Sequence, residues 1–181
     1  MKFKLHSQES APLKSKAQLN SSLKAFGMIP NLHAVMAEAP NVLKAYKMLH
    51  DLFQDTSFNN DELTVIWQTI NVEHECLYCV PAHTGIAKMM MVDDAITDAL
   101  RNRTKLPTEA LQVLHETTLA LVRERGKPDQ SVIDAFYQAG YENRQLLEIV
   151  LGISQKVMSN YINHLAVSPV DKAFQEFAWS K

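Results

Sequence analysis

The stretch Asn59-Asn60-Asp61-Glu62-Leu63-Thr64-Val65-Ile66-Trp67-Gln68-Thr69-Ile70 decides the fold class of this chain. Asn59 followed three residues later by Glu62 is the pattern of a capping box, in which two side chains satisfy backbone amides that a first helical turn leaves without partners. Behind it Leu63, Ile66, Trp67 and Ile70 recur at helical spacing, so one face of the segment is apolar. The same pattern repeats outward in both directions. Leu32, Val35 and Met36 share a face, and Val42, Leu43, Tyr46, Leu49 and Phe53 form a stripe behind Pro40. A segment over 82–91 and another restarting at Asp93 or Asp94 read as helices. Pro107-Thr108-Glu109 opens a longer one, with Leu111, Leu114, Thr118, Leu121 and Val122 on one face and Gly126 and Pro128 closing it. A short helix over 131–139 stops at Gly140. Asn143 opens a last long helix, in which Leu146, Leu147, Ile149, Val150 and Ile153 are apolar. Alternating strand patterns and two-residue hairpin signals are missing. The expectation is an all-α, single-domain bundle of about seven to nine helices over residues 26–181, behind a polar, Ser- and Lys-rich leader over 1–25.

Composition narrows the function. The chain has 181 residues, 46% of them apolar and 21% charged, which is the balance of a globular domain. Eighteen basic against twenty acidic residues give a net charge of −2, which argues against nucleic acid as the main partner, because phosphate binding needs a basic face. Five glycines, none in a GxGxxG or GxxxxGK[ST] arrangement, leave no phosphate-binding loop. No run approaches the length of a membrane-spanning helix, so no membrane partner is expected. The basic residues of Met1-Lys2-Phe3-Lys4-Leu5 have no apolar run behind them. A cytoplasmic location is therefore expected, where thiols stay reduced.

In that setting the two cysteines carry the chemistry. They lie in Asn71-Val72-Glu73-His74-Glu75-Cys76-Leu77-Tyr78-Cys79-Val80-Pro81-Ala82-His83. On a helix, Cys76 and Cys79 are i, i+3 and Cys79 and His83 are i, i+4, which places all three on one stripe. Two cysteines at that spacing can approach disulfide geometry, and a histidine one turn on can take a thiol proton. Pro81 argues that the pair sits at the start of a helix or at a kink, since an interior proline breaks a hydrogen bond. At a helix start, the free amides and the macrodipole favour thiolate. Two other readings stay open: a buried structural pair, and a zinc site of Cys76, Cys79 and His83 with Glu73 or His74 as fourth ligand.

Two weaker features remain. Glu62–Ile66 before Tyr78 and His83 has an echo in Gln145–Ile149 before Tyr161 and His164, which suggests an internal two-fold duplication. His33, His50 and His115 read as surface or satisfied core histidines. Met89-Met90-Met91 reads as core or oligomer packing.

The motif Cys76-Leu-Tyr-Cys79-Val-Pro-Ala-His83 resembles the redox motif of the alkylhydroperoxidase-D-like (AhpD-like) branch of the carboxymuconolactone decarboxylase superfamily. Ile29-Pro30-Asn31-Leu32 with Ala39-Pro40-Asn41-Val42-Leu43 resembles its N-terminal helices. Ala139-Gly140-Tyr141 before Gln145–Val150 resembles its C-terminal half. The resemblance spans about residues 27–170 and implies an all-α, homo-oligomeric (trimeric or hexameric) peroxidase acting in antioxidant defence, with no bound cofactor. Its dithiol would reduce hydrogen peroxide or organic hydroperoxides and be recharged by a dithiol reductant, a lipoyl protein or a thioredoxin-like one. By position, Cys79 would be the peroxide-attacking thiolate, Cys76 the resolving cysteine and His83 the base and proton donor. The family's glutamate, twelve residues before the first cysteine, is Thr64 here, so Glu62 or Glu73 would complete the proton relay. A histidine found between the cysteines in some members is Tyr78. The alternatives are a decarboxylase-type lyase and a non-catalytic redox-sensing or oligomeric protein.

Overall fold

The structure is a computed structural model that describes residues 3–180. Among them are nine α-helices and one 3₁₀ helix, with no strand: α1 (Leu13–Phe26), α2 (Asn31–Met36), α3 (Pro40–Gln54), α4 (Asn60–Glu73), α5 (Cys79–Met89), α6 (Asp94–Asn102), α7 (Glu109–Arg123), α8 (Gln130–Gln138), α9 (Asn143–Ala166) and the 3₁₀ helix Lys172–Phe177. The all-α, single-domain expectation holds.

The capping box at Asn59 forms as read. The Asn59 carboxamide accepts from the Glu62 amide at 3.0 Å, and the Glu62 carboxylate accepts from the Asn59 amide at 2.9 Å. Thr108 and Asp93 cap α7 and α6 with their side chains, and Pro40 occupies the first turn of α3. α4 is the central element, almost wholly buried from Leu63 to Val72, and packs against α5, α6, α7 and α9.

The apolar core divides in two. The larger cluster joins Phe53, Trp67, Ile70, Leu100, Leu114, Phe136 and Ile149. The smaller gathers Leu19, Leu32, Met36, Leu43 and Tyr46 around Cys76, Tyr78, Cys79 and Ala82. Residues 13–26, part of the stretch read as a polar leader, form α1, which lies over α2 and α3. Its buried face is part hydroxyl: Ser15 donates to the Ala37 carbonyl at 2.7 Å, and Ser22 hydrogen-bonds His33 at 2.9 Å.

α9 has an unusual polarity. Its buried residues include Gln155, Lys156, Ser159, Asn160 and Asn163, whereas Leu147, Val150 and Leu165 face outward. It runs unbroken past Tyr161 and His164, where the first echo segment has the break between α4 and α5. Gly152 lets α9 approach its neighbours: a Cβ there would lie 2.7 Å from the Phe53 ring and 3.2 Å from Ile66. Helix propensity alone would make Gly152→Ala stabilising by about 1 kcal/mol. Overpacking against the fully buried Phe53 predicts the opposite sign, a loss of ~1–3 kcal/mol, seen as a lower urea midpoint at unchanged slope. An unchanged or raised midpoint would contradict the close approach.

Candidate active site

The cysteine segment is shaped by how α4 ends. Glu75 adopts the left-handed conformation at φ 52°, the Glu75 amide donates to the Val72 carbonyl at 3.1 Å, and the Cys76 amide donates to the Asn71 carbonyl at 3.0 Å. This is the Schellman arrangement, with a glutamate in the position glycine usually takes. It turns the chain so that α5 starts at Cys79, one residue past Tyr78. Pro81 therefore falls in the first turn, where its missing N–H costs no helical bond. The Cys79 amide donates to the Cys76 sulfur at 3.2 Å, and Tyr78 fastens the turn. The Tyr78 hydroxyl donates to Asp171 at 2.6 Å and accepts from the Leu32 amide at 3.2 Å, while Asp171 also accepts from the Asn31 amide. Tyr78 is thus a clamp between α2 and the C-terminal segment; burial and the Asp171 charge hold its phenol well above the usual range.

Both cysteines are free and buried. Burial alone would push the Cys79 thiol up. The Cys76 hydrogen bond, the Lys156 charge and the Asn163 and Asn160 amides outweigh it and hold the thiol below its ordinary value. The Asn163 amide donates to the Cys79 sulfur at 3.2 Å. Cys76 is held protonated, first by the hydrogen bond it shares with Cys79 and then by burial. The pair is therefore asymmetric, one thiolate and one thiol.

His83 lies one turn after Cys79 and is 6% exposed. Lys156 donates from Nζ to His83 Nε2 at 2.8 Å. Burial, then the Lys156 charge, holds the imidazole well below its ordinary value, so it is neutral. Of the residues expected from the sequence, Cys76, Cys79 and His83 come together. Glu62 and Glu73 stand elsewhere. Glu62 belongs to the N-terminal cap of α4, where it also accepts from the Tyr141 hydroxyl at 3.0 Å, about 16 Å along the helix from the cysteine end. Glu73 forms a two-pronged pair with Arg123, both bonds 2.8 Å. Thr64 is buried within α4. His74 bonds Asn160 at 2.9 Å. Among the described residues, no three His, Cys, Asp or Glu side chains converge as a metal site would require.

Lys156, Asn160 and Asn163 are site residues that the sequence reading missed. Their one signal is the i, i+4, i+7 recurrence of polar residues on α9. A cavity of about 510 Å³ opens beside Cys79, His83 and Lys156, walled by Phe26, Met28, Leu32, Ile86, Met89 and Phe174. His33 and His50 also line it. Rings run from His33 through Tyr46, His50 and Trp67 to His83, with centroids 5.0–6.4 Å apart. A second hollow of about 360 Å³ lies on the Cys76 side, between His74, Leu77, His164 and Val167. Gly85 makes room for the C-terminal wall of the larger cavity, since a Cβ there would meet the Phe174 ring at 2.5 Å.

The fold has solved counterparts. An uncharacterized peroxidase-related protein from Ralstonia eutropha JMP134, described as an alkylhydroperoxidase AhpD core, superposes with a TM-score of 0.85 over 96% of this chain and 93% of that one, at 17% identity. The fold is that of the AhpD core. A peroxidase-related protein from Silicibacter sp. TM1040 shares this AhpD-like fold at a TM-score of 0.81 and 14% identity, over 96% of this chain and 92% of that one. The debrominase Bmp8, as a cysteine-to-alanine variant with 2,3,4-tribromopyrrole, matches at 0.79 and 16% identity, over 96% and 94%. No family model and no curated protein matches the sequence. No helix among the described residues is long and apolar enough to cross a membrane.

The buried imidazoles make stability depend on pH. His33 is lowered to about 3 and His50 to about 4, both mainly by burial, and His83 falls in the same direction. In the unfolded chain they titrate near ~6.5. The folded state binds fewer protons, so this stabilisation is present above ~6.5 and is lost as pH falls toward the folded values. Each histidine contributes up to ~1.4 kcal/mol per pH unit in that window. Urea midpoints should drop steeply between pH 7 and 5; a flat profile would contradict neutral buried imidazoles.

Proposed function

We propose that the protein is a thiol-dependent peroxidase reducing organic hydroperoxides, with Cys79 as the attacking thiolate and Cys76 as the resolving thiol. The observation that carries this reading is an asymmetric pair of which Cys79 lines the apolar cavity: a stabilised Cys79 sulfur at a helix start and, behind it, a protonated Cys76 whose sulfur accepts the Cys79 amide. The Cys79 sulfur attacks the terminal peroxide oxygen and the O–O bond breaks. The alkoxide leaves as alcohol after taking a proton, and Cys79 becomes a sulfenic acid. Cys76 then displaces water from that sulfur to close the disulfide, which an external dithiol, a lipoyl or thioredoxin-like protein, reopens by exchange. Apolar walls of about 510 Å³ suit an organic hydroperoxide better than hydrogen peroxide. Outward-facing Leu147, Val150 and Leu165 on α9 support the trimeric or hexameric assembly that the resemblance implies. The expected location remains the cytoplasm.

The same apolar cavity favours one second reading. With a bromoarene, the thiolate takes the bromine as the ring gains a proton, and Cys76 then expels bromide while the disulfide closes. The debrominase among the structural neighbours makes this worth testing alongside.

Cys79→Ser should lower cumene hydroperoxide turnover, measured with excess dithiothreitol, by roughly 10³-fold or more. Without added thiol, Cys76→Ser should consume one equivalent of hydroperoxide and stop, leaving a sulfenic acid that a dimedone adduct reveals. Turnover at the native rate in Cys79→Ser would overturn the assignment. Bromide release from 2,3,4-tribromopyrrole without peroxide turnover would select the second reading.

A further inference from the structure

Lys156 is a fully buried amine with no carboxylate against it; burial lowers its affinity for a proton, and the Cys79 and then the Cys76 charge work the other way. It is 1% exposed, and its hydrogen bond runs to His83, a neutral ring. Cys79 and His83 on α5, Cys76 in the preceding turn and His50 on α3 interact with it electrostatically, and Tyr46 lines the same cavity; Lys47 and Asp51 also line that cavity, but Asp51 acts on Lys47 and His50 and is not among the charges acting on Lys156. A lone ammonium in a dry interior is costly, so its counter-charge must come from one of these. His50 and His83 are acids only in cationic form, Tyr46 is buried as a phenol, and Cys76 is held as a thiol. Cys79 is the group left to carry the negative charge.

The hydrogen bond also fixes the histidine. By accepting from Lys156, Nε2 leaves the ring proton on Nδ1, and Nδ1 is buried without a protein partner. The ring shares the cavity wall with Cys79. An unpaired donor in that place awaits an acceptor that the protein does not supply, as the oxygen leaving a peroxide would be.

We infer that Lys156 is the proton source for the leaving group, working through His83 in place of the carboxylate relay expected at Glu62 or Glu73. This rests on the peroxidase reading above. As the Cys79 sulfur bonds to the terminal oxygen of R–O–O–H and the O–O bond breaks, Lys156 passes its proton to Nε2 and, in the same step, His83 releases its Nδ1 proton to the departing alkoxide, so that the ring never carries a negative charge. The products are the sulfenic acid, R–OH, a neutral Lys156 amine and a His83 now protonated on Nε2, which donates back to that amine. Charge is balanced at each stage, because thiolate and ammonium disappear together. Reduction of the disulfide by an external dithiol returns the proton to Lys156. The lysine acts on substrate through the imidazole and is a positioning and proton-supplying residue.

The decisive measurement is a proton count on the native protein in weak buffer with an indicator dye at pH 7. Cys76 and Cys79 are oxidised in one arm by cumene hydroperoxide and in the other by diamide, an oxidant unrelated to peroxides. If Lys156 surrenders its proton, the disulfide forms with almost no proton uptake from solvent in either arm. If the ammonium persists, one proton is taken up per disulfide, and the inference is overturned. In parallel, Lys156→Met in a Cys76→Ser background should slow iodoacetamide alkylation of Cys79 at pH 7 on the order of tenfold. Lys156→Arg, which keeps the charge and cannot release the proton, should keep fast alkylation while losing peroxide reactivity. Native alkylation rates in Lys156→Met would also overturn the inference. Failure of the peroxide arm alone, with the diamide count intact, would strike the peroxidase reading and leave the Lys156–Cys79 pairing standing. Should the lysine variants fail to fold, the diamide count is read with the pH profile of iodoacetamide alkylation of Cys79 in Cys76→Ser: near-zero uptake with alkylation already fast at pH 7 supports the inference, and near-zero uptake with alkylation that rises only toward the ordinary thiol range overturns it, because two thiols and a neutral amine give the same count.

Discussion

The hydrogen bond from Lys156 to His83 is the constraint on which the site depends. It holds a 1%-exposed amine against a neutral ring, where burial disfavours the ammonium and the Cys79 and Cys76 charges favour it. Cys79 stands at a helix start with the Asn163 amide on its sulfur, and Cys76 keeps its proton. The histidines on either side stay neutral first because they are buried and then because the Lys156 charge opposes a second cation. The dithiol and the lysine are thus electrostatically coupled, each shifting the other's affinity for a proton.

The fold is arranged to hold that lysine opposite the cysteines. α9 turns polar residues inward and leaves leucines outside, the reverse of an ordinary amphipathic helix. Two of its amides find partners across the core: Gln155 accepts from the Trp67 indole at 2.7 Å, and Asn160 donates to Asn71 at 3.0 Å. Satisfied in this way, a polar face can be buried without large loss. Glu75 in the left-handed region and the clamp from Tyr78 to Asp171 fix the other half, so the sulfur pair is set by backbone as well as by packing.

How much of this could be read beforehand follows from the kind of signal each residue leaves. The Asn59–Glu62 cap is local, and a local pattern survives folding unchanged. Cys76, Cys79 and His83 are rare residue types at a meaningful spacing, and Pro81 correctly put them at a helix start. Lys156 leaves no such mark. A lysine among Gln, Ser and Asn looks like a solvated face, and only the tertiary partner reveals that it is buried. Glu62 and Glu73 illustrate the converse. Glu62 caps the far end of α4, a helix length from the cysteine end, and Glu73, though three residues before Cys76, is taken up by Arg123. α1 was obscure because its contacts are hydroxyl to carbonyl, which hydropathy does not register.

The most direct test of the dithiol chemistry is intact mass together with a free-thiol count, before and after one equivalent of cumene hydroperoxide. Loss of both thiols with a decrease of about 2 Da, two hydrogens leaving as the disulfide closes, is the expected result. Two free thiols and an unchanged mass would contradict it, and would leave Cys76 and Cys79 as a structural pair in an AhpD-like fold.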